Sequence, residues 1–531
     1  MSQPPVRLEA LRAGGADWHG MAVAPGTPLD AALARLGLPL EVRCGGRGSC
    51  GSCRVELVAG SLVARDGSTV VAPAELRACR HHLPTTGPVR IRVPVASQRV
   101  QSGSAVGAYA LRAADPPAIA ANEGLGIALD VGTTTVVALL IDRSTGAILE
   151  RAGLDNAQAQ HADDVLARID RCSRDPAALG RLQQAVCAQT LSPLIVTLLA
   201  GREPQQVCAV SVAANTTMLH LLAGIDPSSM GVAPFTPSFL DRRSVRAQAL
   251  GLPLPPATPV ELLPGAAAFV GADIVAGILV TGMDLPGEPE LLVDVGTNGE
   301  IVLRHAGGLL ACATAAGPAF EGAGLRCGTR ARPGAISHLR CREAPFAVEL
   351  EHLSAAADAP CPGLCGSGCI DLLAEGRRSG LLTAMGRFAA DHPAVRGDPE
   401  ERQLPLADGV VCTEADIAAL LQAKAAIAAG ISTVLARAGL GADELAAIHL
   451  AGGFGLHLDP ANAVACGLLP GCDPARIAVV GNAALAGARR ALIDPSAGKR
   501  LDALAAAVEV ITLNTEPGFE LCYIEQMMLP G

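Results

Sequence analysis

Two stretches of this chain have the same layout. "GIALDVGTTTVVALLID", residues 126–142, is an apolar run, a polar turn and a second apolar run, and the pattern returns in "LLVDVGTNGEIVL", residues 291–303. Asp130 ends the first run and Gly132, Thr133, Thr134 and Thr135 make its turn; Asp294, Gly296, Thr297, Asn298 and Gly299 do so in the second. Each segment is expected to be a β-hairpin whose tip offers backbone N–H groups and hydroxyls to a phosphate. The aspartate beside it would hold Mg2+ through water. One D-x-G-T is a weak signal. Two copies about 160 residues apart, each inside an apolar strand pair, predict a duplicated α/β fold with ATP and Mg2+ between its halves.

A third element extends that reading. In "IHLAGGFGLHLDPANAVACGLLP" a buried strand ends in Gly452, Gly453, Phe454 and Gly455. Backbone without side chains lets an adenosine lie against it. An ordinary strand-to-helix turn would look the same in isolation; the two hairpins favour the adenosine contact.

The N-terminal region carries different chemistry. "EVRCGGRGSCGSCRVEL" places Cys44, Cys50 and Cys53 among glycines, and Cys79 follows in "ELRACRHHL". Three clustered thiols and one distant one is the plant-type order of a [2Fe–2S] site. Gly45, Gly46, Gly48 and Gly51 permit the close wrapping and positive φ such a loop needs. Zinc more often takes two C-x2-C knuckles, and only one such pair is present here. His81 and His82 invite a Rieske reading, but four thiols are already available, so both are expected to be exposed polar residues. Around the cysteines, "VRLEAL" and "GMAVAP" predict a hairpin and "TPLDAALARLGL" a helix with Thr27 as N-cap. "CRVELVAG" and "VRIRVPV" alternate like strands. Residues 1–96 therefore read as a β-grasp ferredoxin domain, and 97–124, rich in Ser, Gly and Pro, as a linker. The two lobes of the duplicated fold are expected at 125–286 and 287–531.

Composition narrows the partners. The net charge is −10 over 531 residues, which disfavours nucleic acid. No apolar stretch reaches the ~18 uncharged residues of a membrane span, and the N-terminus lacks the layout of a signal peptide. Cytoplasmic residence is expected. Seventeen cysteines, an odd number, argue against a disulfide framework in a reducing compartment. Cys172, Cys187, Cys208, Cys312, Cys327, Cys341, Cys412, Cys466, Cys472 and Cys522 read as small buried hydrophobes. "CPGLCGSGC" spaces Cys361, Cys365 and Cys369 like ligands, but no fourth ligand is nearby and the glycines lead into a helix start.

The two hairpins and the glycine-rich turn are the elements of the actin, sugar kinase and Hsp70 superfamily. With "ANTTMLHLLAGIDPSSMGVAPFTP", "ATAAGPAFEGAGLRCGTRARPGAI", "GLCGSGCIDLLAE" and "TEADIAALLQAKAAIAAGI", and with a ferredoxin domain at the N-terminus, the chain resembles the reductive activators of corrinoid proteins. The resemblance covers essentially the whole chain, and the domain order is its most specific feature. It implies ATP-dependent transfer of one electron to an inactive Co(II) corrinoid protein of a methyltransferase system. The upstream electron donor is unknown, and a homodimer through the C-terminal region is implied.

By motif, Cys44, Cys50, Cys53 and Cys79 would hold the cluster, and Asp130 and Asp294 would organise Mg2+ and the attacking water. Gly132, Thr133, Thr134, Gly296, Thr297 and Asn298 would contact phosphate, with Gly452, Gly453 and Gly455 at adenosine. Gly366 and Ser367 match the family's G-x-C-G-S-G loop and would bind nucleotide or shape the cleft. Glu321 reads equally as a catalytic group, a partner contact or a rim charge, and Asp273 as a cleft acid or a helix cap. Three other readings stay open: a small-molecule kinase with a redox-sensing ferredoxin domain, an ATP-gated binding module, and an activator of a dehydratase.

Overall fold

The computed structural model of the chain describes residues 4–12, 18–36, 38, 40, 53–94, 123–162, 164–343, 346–353, 360–398, 401–452 and 458–531. The expected linker, 97–124, lies outside these apart from Glu123 and Gly124.

At the N-terminus, strands Val6–Arg12 and Trp18–Val23 pair as the expected hairpin. Val6–Arg12 also runs parallel to Val89–Val93, which in turn pairs with Arg54–Ala59, and Ala74–Arg77 closes the five-stranded sheet. Along Val89–Val93 the odd side chains are buried and the arginines exposed, the period-two pattern of a sheet with one covered face. Helix Leu29–Arg35 covers it, burying Leu29 and Leu33 against Leu8, Leu57 and Ile91. Thr27 does not cap this helix: its hydroxyl donates to the Ala24 carbonyl at 2.7 Å and stays in the preceding turn. His81 and His82 form a short strand and are half-buried, not fully exposed as expected.

The rest is organised around two six-stranded sheets built to one plan, with two small two-stranded sheets, Ile336–Glu343 with Phe346–His352 and Gln403–Ala407 with Val410–Thr413, beside them. In the first, an antiparallel trio (Ile148–Asp155, Thr135–Asp142, Leu125–Val131) is extended in parallel by Val207–Ala213 and then Pro259–Leu262. In the second, the trio Gly308–Thr314, Gly299–His305 and Glu290–Val295 is extended in parallel by Ala447–Ala451 and then Ile477–Gly481. The D-x-G-T motifs occupy equivalent places, at the turn between the first two strands of each trio. This is the duplication the sequence predicts.

The lobes exchange a helix. Ala483–Ile493 follows the last strand of the second sheet, yet Leu485, Ala488, Leu492 and Ile493 are buried in the first lobe's core. It crosses helix Ala272–Thr281 so closely that a Cβ on Gly487 would lie 2.4 Å from the Ala276 Cβ. Packing therefore does not follow the sequence division at 286/287. In the second lobe, helix Glu414–Ala438 is capped by a reciprocal box between Thr413 and Asp416 and ends at Gly439 with φ +69°. That helix and the segment Ala178–Leu199 are apolar and long enough to cross a bilayer, contrary to the reading of the sequence. Most of their apolar windows are buried inside the fold, as core helices are. Among the ten isolated cysteines, Cys208 is exposed and Cys341 and Cys522 are half-buried; the other seven are buried.

The Gly487 crossing supplies a test. Gly487→Val forces the two helices apart and should cost ~1–3 kcal/mol, read as a lower unfolding midpoint. Gly180→Ala, on a helix position where an added Cβ meets nothing within 4 Å, should leave the midpoint unchanged or slightly raised.

Candidate functional site

The first hairpin turns at 132–135, and the Gly132 N–H donates to the Thr135 carbonyl at 3.1 Å. A Cβ at Gly132 would sit 2.5 Å from that oxygen, so only glycine fits. The tip's carbonyls are tied back into the lobe. Asn156 Nδ2 donates to Gly132 O at 2.9 Å, Arg168 Nη2 to Thr133 O at 2.6 Å, and the Asn156 N–H to Thr134 O at 2.8 Å. In a trans peptide N–H and C=O point in opposite directions. Anchoring the carbonyls of 132 and 133 therefore turns the N–H groups of Thr133 and Thr134 away from the anchors, as an anion cradle requires.

The anchor is a buried guanidinium. Arg168 lies on helix Val165–Arg174 and also donates to Ala162 O at 3.0 Å and Gln158 Oε1 at 2.9 Å. Thr133 Oγ1 accepts from Asn215 Nδ2 at 3.0 Å, which leaves its own proton free to donate. Asn215 is held in turn as the N-cap of helix Thr216–Ala223, its Oδ1 accepting from the Met218 N–H at 2.9 Å. Arg168 and Asn156 carried no motif signal; Asn215 lies in the family stretch "ANTTMLHLLAGIDPSSMGVAPFTP", which by itself gives it no role.

The second hairpin is tighter: Gly296 N–H donates to Asn298 O at 2.9 Å, and Val295 pairs directly with Gly299. That register sets Glu300 opposite Asp294, on the same face of the sheet. Glu300 was missed from the sequence, although its spacing from Asp294 across a short turn contained the signal. Gly452, at φ +92°, approaches this hairpin: a Cβ there would be 2.6 Å from Val295 O and 2.8 Å from Asp294 Oδ1. Gly453 and Gly455 lie outside the described residues.

Four carboxylates thus face one another. Asp130 accepts from Asn482 Nδ2 at 2.7 Å, and Asn482 is the N-cap of the exchanged helix Ala483–Ile493. Asp273 sits in the first turn of Ala272–Thr281, its Oδ1 taking the Ile274 N–H at 2.9 Å, so it is both a helix-end acid and a cleft acid. Burial pushes Asp130 and Asp294 up to about 7 and Asp273 to about 6, with Asp273 adding repulsion to both of the others. Glu300 is pushed well up by burial and then by Asp273 and Asp294, against a hydrogen bond from Asn298. A divalent cation would relieve this repulsion, and oxygen donors are the ligands Mg2+ takes.

Glu321 lies between the two tips. Thr297 Oγ1 donates to its Oε1 at 3.0 Å and Thr134 Oγ1 to its Oε2 at 3.4 Å. Gly366 and Ser367 start helix Gly366–Arg378 inside the second lobe, and the buried Ser367 hydroxyl is spent on Ser337 O at 2.7 Å. Cys361, Cys365 and Cys369 do not gather. Cys365 Sγ meets Ser367 Oγ at 3.4 Å, while Cys369, one helical turn on, is close enough to Cys365, Cys327 and Cys412 to feel their charge. Among the described residues the donor atoms of Cys327, Cys412 and Asp416 lie within 4.8 Å of one another. There Asp416 already accepts from Thr413 and from the Arg326 N–H, and a hydrogen bond with Cys327, then burial, push the Cys412 thiol well above its usual range.

In the N-terminal domain, Cys53 directly precedes strand Arg54–Ala59 and Cys79 sits in the turn Ala78–Arg80. The Ala78 N–H donates to Cys53 O at 2.9 Å, so two expected ligands are neighbours at the same end of the sheet, both buried. Cys44 and Cys50 lie outside the described residues.

Comparison with known proteins agrees with this organisation. Residues 18–83 match the 2Fe-2S iron-sulfur cluster binding domain, 125–285 the RACo middle region, and 288–531 the C-terminal ASKHA domain of RACo. The corrinoid activation enzyme RamQ of Eubacterium limosum is 32% identical over 422 residues, 76% of this chain and 70% of that one. The chain belongs to the reductive activators of corrinoid proteins. The solved structure of a reductive activator for corrinoid, iron-sulfur protein superposes with a TM-score of 0.71 at 28% identity, covering 99% of this chain and 98% of that chain. A methylated amine-specific corrinoid protein reductase of Methanosarcina barkeri is 28% identical over 260 residues, 46% of this chain and 45% of its own.

The raised acids of this activator make a signed prediction. A carboxyl that titrates near 3.8 when unfolded but near 7 when folded costs stability as pH rises through that window, and the loss is complete above it. Without a divalent cation, the wild type minus the Asp130→Asn/Asp294→Asn variant should therefore lose midpoint between about pH 4 and pH 7. Mg2+ should restore it above pH 7 and do little near pH 5. A Mg2+ increment that is independent of pH, or equal in the double variant, contradicts the assignment.

Proposed function

We propose that this chain binds Mg-ATP between its two hairpins and uses it to pass one electron from its N-terminal domain to a Co(II) corrinoid protein, giving Co(I). The observation that carries this reading is the union in one chain of a β-grasp domain with adjacent buried Cys53 and Cys79 and a cleft flanked by two D-x-G-T hairpins. Cys44, Cys50, Cys53 and Cys79 would ligate the cluster, which when bound supplies a one-electron couple. Thr133, Thr134, Thr297 and Asn298 would hold phosphate, Asp130, Asp294 and Glu300 the cation, and Gly452 the nucleoside side of the cleft. Residues 1–96 would form the redox domain, 97–124 its tether, and 125–286 and 287–531 the nucleotide lobes.

The energetics explain the need for ATP. Plant-type ferredoxin clusters sit at about −400 mV, and Co(I) is a stronger reductant still. An uphill electron moves only if the complex favours the reduced state of cobalt and is then taken apart at the expense of nucleotide. The shift achievable equals the difference in affinity between the two cobalt states. The protein would work in the cytoplasm. Leu521 and Ile524, both exposed on helix Phe519–Glu525, support a homodimer through the C-terminal region.

The test is anaerobic. Reduced protein, Mg-ATP and a Co(II) corrinoid protein are mixed and the Co(I) absorbance is followed. Cys50→Ser should abolish Co(I) formation and keep nucleotide binding. Asp294→Ala should keep the cluster spectrum and cut ATP-dependent turnover by at least about a hundredfold. A Cys50→Ser protein that still makes Co(I) overturns the electron route, and turnover on a small metabolite without any corrinoid protein supports a kinase instead.

A further inference from the structure

Glu321 has a position that neither hairpin motif predicts. Its carboxylate takes one hydroxyl from each phosphate hairpin, Thr134 of the first lobe and Thr297 of the second. Those hydroxyls are the groups assigned to phosphate. A carboxylate and a phosphoryl group are both oxygen acceptors with negative charge, so they compete for the same donors and repel each other.

We propose that Glu321 is a latch standing in for the terminal phosphate of ATP: it bridges the two hairpins when the cleft is empty and is expelled when that phosphate arrives. This rests on the reading of the cleft as the ATP site. The loop is built for such a change. Glu321 ends a short turn, Pro318–Glu321, between Gly317 at φ +77° and Gly322 at φ +72°, and both glycines hold backbone that other residues rarely adopt. Gly322 is packed so tightly that a Cβ would lie 2.3 Å from Thr329 O. Movement at Glu321 is thus passed along the loop. Arg330, next to Thr329, also bonds the first lobe, donating to Asp155 Oδ1 at 3.3 Å. Asp155 is the register partner of Thr135, which ends the first hairpin turn.

One loop of the second lobe therefore grips the first lobe at the tip of its phosphate hairpin and on the strand beside it. Expelling Glu321 releases one grip and leaves the other. ADP, without the terminal phosphate, has no cause to expel it. The latch would distinguish ATP from ADP and report the difference at the junction of the lobes.

The test is calorimetric titration of wild type, Glu321→Ala and Glu321→Gln with Mg2+ and either β,γ-imido-ATP or ADP. Removing the competing charge should tighten the ATP analogue on the order of tenfold in the alanine variant. Glutamine, which keeps an acceptor but not the charge, should give a smaller gain. ADP affinity should change less than about twofold in either variant. Unchanged or weaker analogue binding in both variants overturns the latch, as does equal tightening of ADP. Unaltered affinity with a large loss of hydrolysis assigns Glu321 to activating water and also overturns it. Failure of the wild type to bind either nucleotide overturns the ATP-site reading itself, and the latch with it.

Discussion

Crowded negative charge in the cleft is the constraint on which the rest of the architecture depends. Asp130, Asp273, Asp294 and Glu300 are desolvated together, and each raises the cost of ionising a neighbour. A fold has no reason to keep four such groups for stability alone, since burying them costs free energy unless a cation or a proton compensates. Their arrangement fits a site whose ligand brings positive charge with it. Mg2+ bound to a nucleotide would do so, and on the proposed function it would present phosphate oxygens to the donors at the two hairpin tips.

The surroundings serve that site. Arg168 and Asn156 tie back carbonyls that would otherwise repel an anion, and Asn215 spends one end on a helix and the other on Thr133. The exchange of helix Ala483–Ile493 carries Asn482 to Asp130, so a residue after the second lobe's last parallel strand supports an acid of the first. The tight crossing at Gly487 fixes that helix where the lobes meet. The acidic cleft and the junction of the lobes thus share residues.

Much of this was legible in the sequence because it is local. A strand pair, its turn and its aspartate fit within some seventeen residues, and the repeat at Asp294 removed the ambiguity of the first copy. The β-grasp strands were readable from alternation, as in Val89–Val93. Contacts that depend on chain crossing were not legible. Nothing near Arg168 marks it as the anchor of a turn 35 residues earlier, and nothing near Asn482 points to Asp130. Glu300 was within reach, since a short turn after Asp294 sets the cross-strand register. Thr27 misled because a hydroxyl before a helix can bond backward as readily as forward. The ligand-like thiol spacing at Cys361, Cys365 and Cys369 did not mislead, because the glycines beside it announce a helix start and helix Gly366–Arg378 begins there.

On the proposed function, ATP would bias a partner's redox state, and a cleft bounded by two lobes would do that by changing how the lobes meet. The central physical claim is narrower: acids held protonated near neutrality give up protons when Mg-ATP enters. Calorimetric titration of the intact protein with Mg2+ and β,γ-imido-ATP near pH 7, repeated in two buffers of different ionisation enthalpy, counts those protons directly. A net release on binding that disappears in the Asp130→Asn/Asp294→Asn variant is the predicted result. Binding by the wild type with no proton release, or with uptake, would contradict the account.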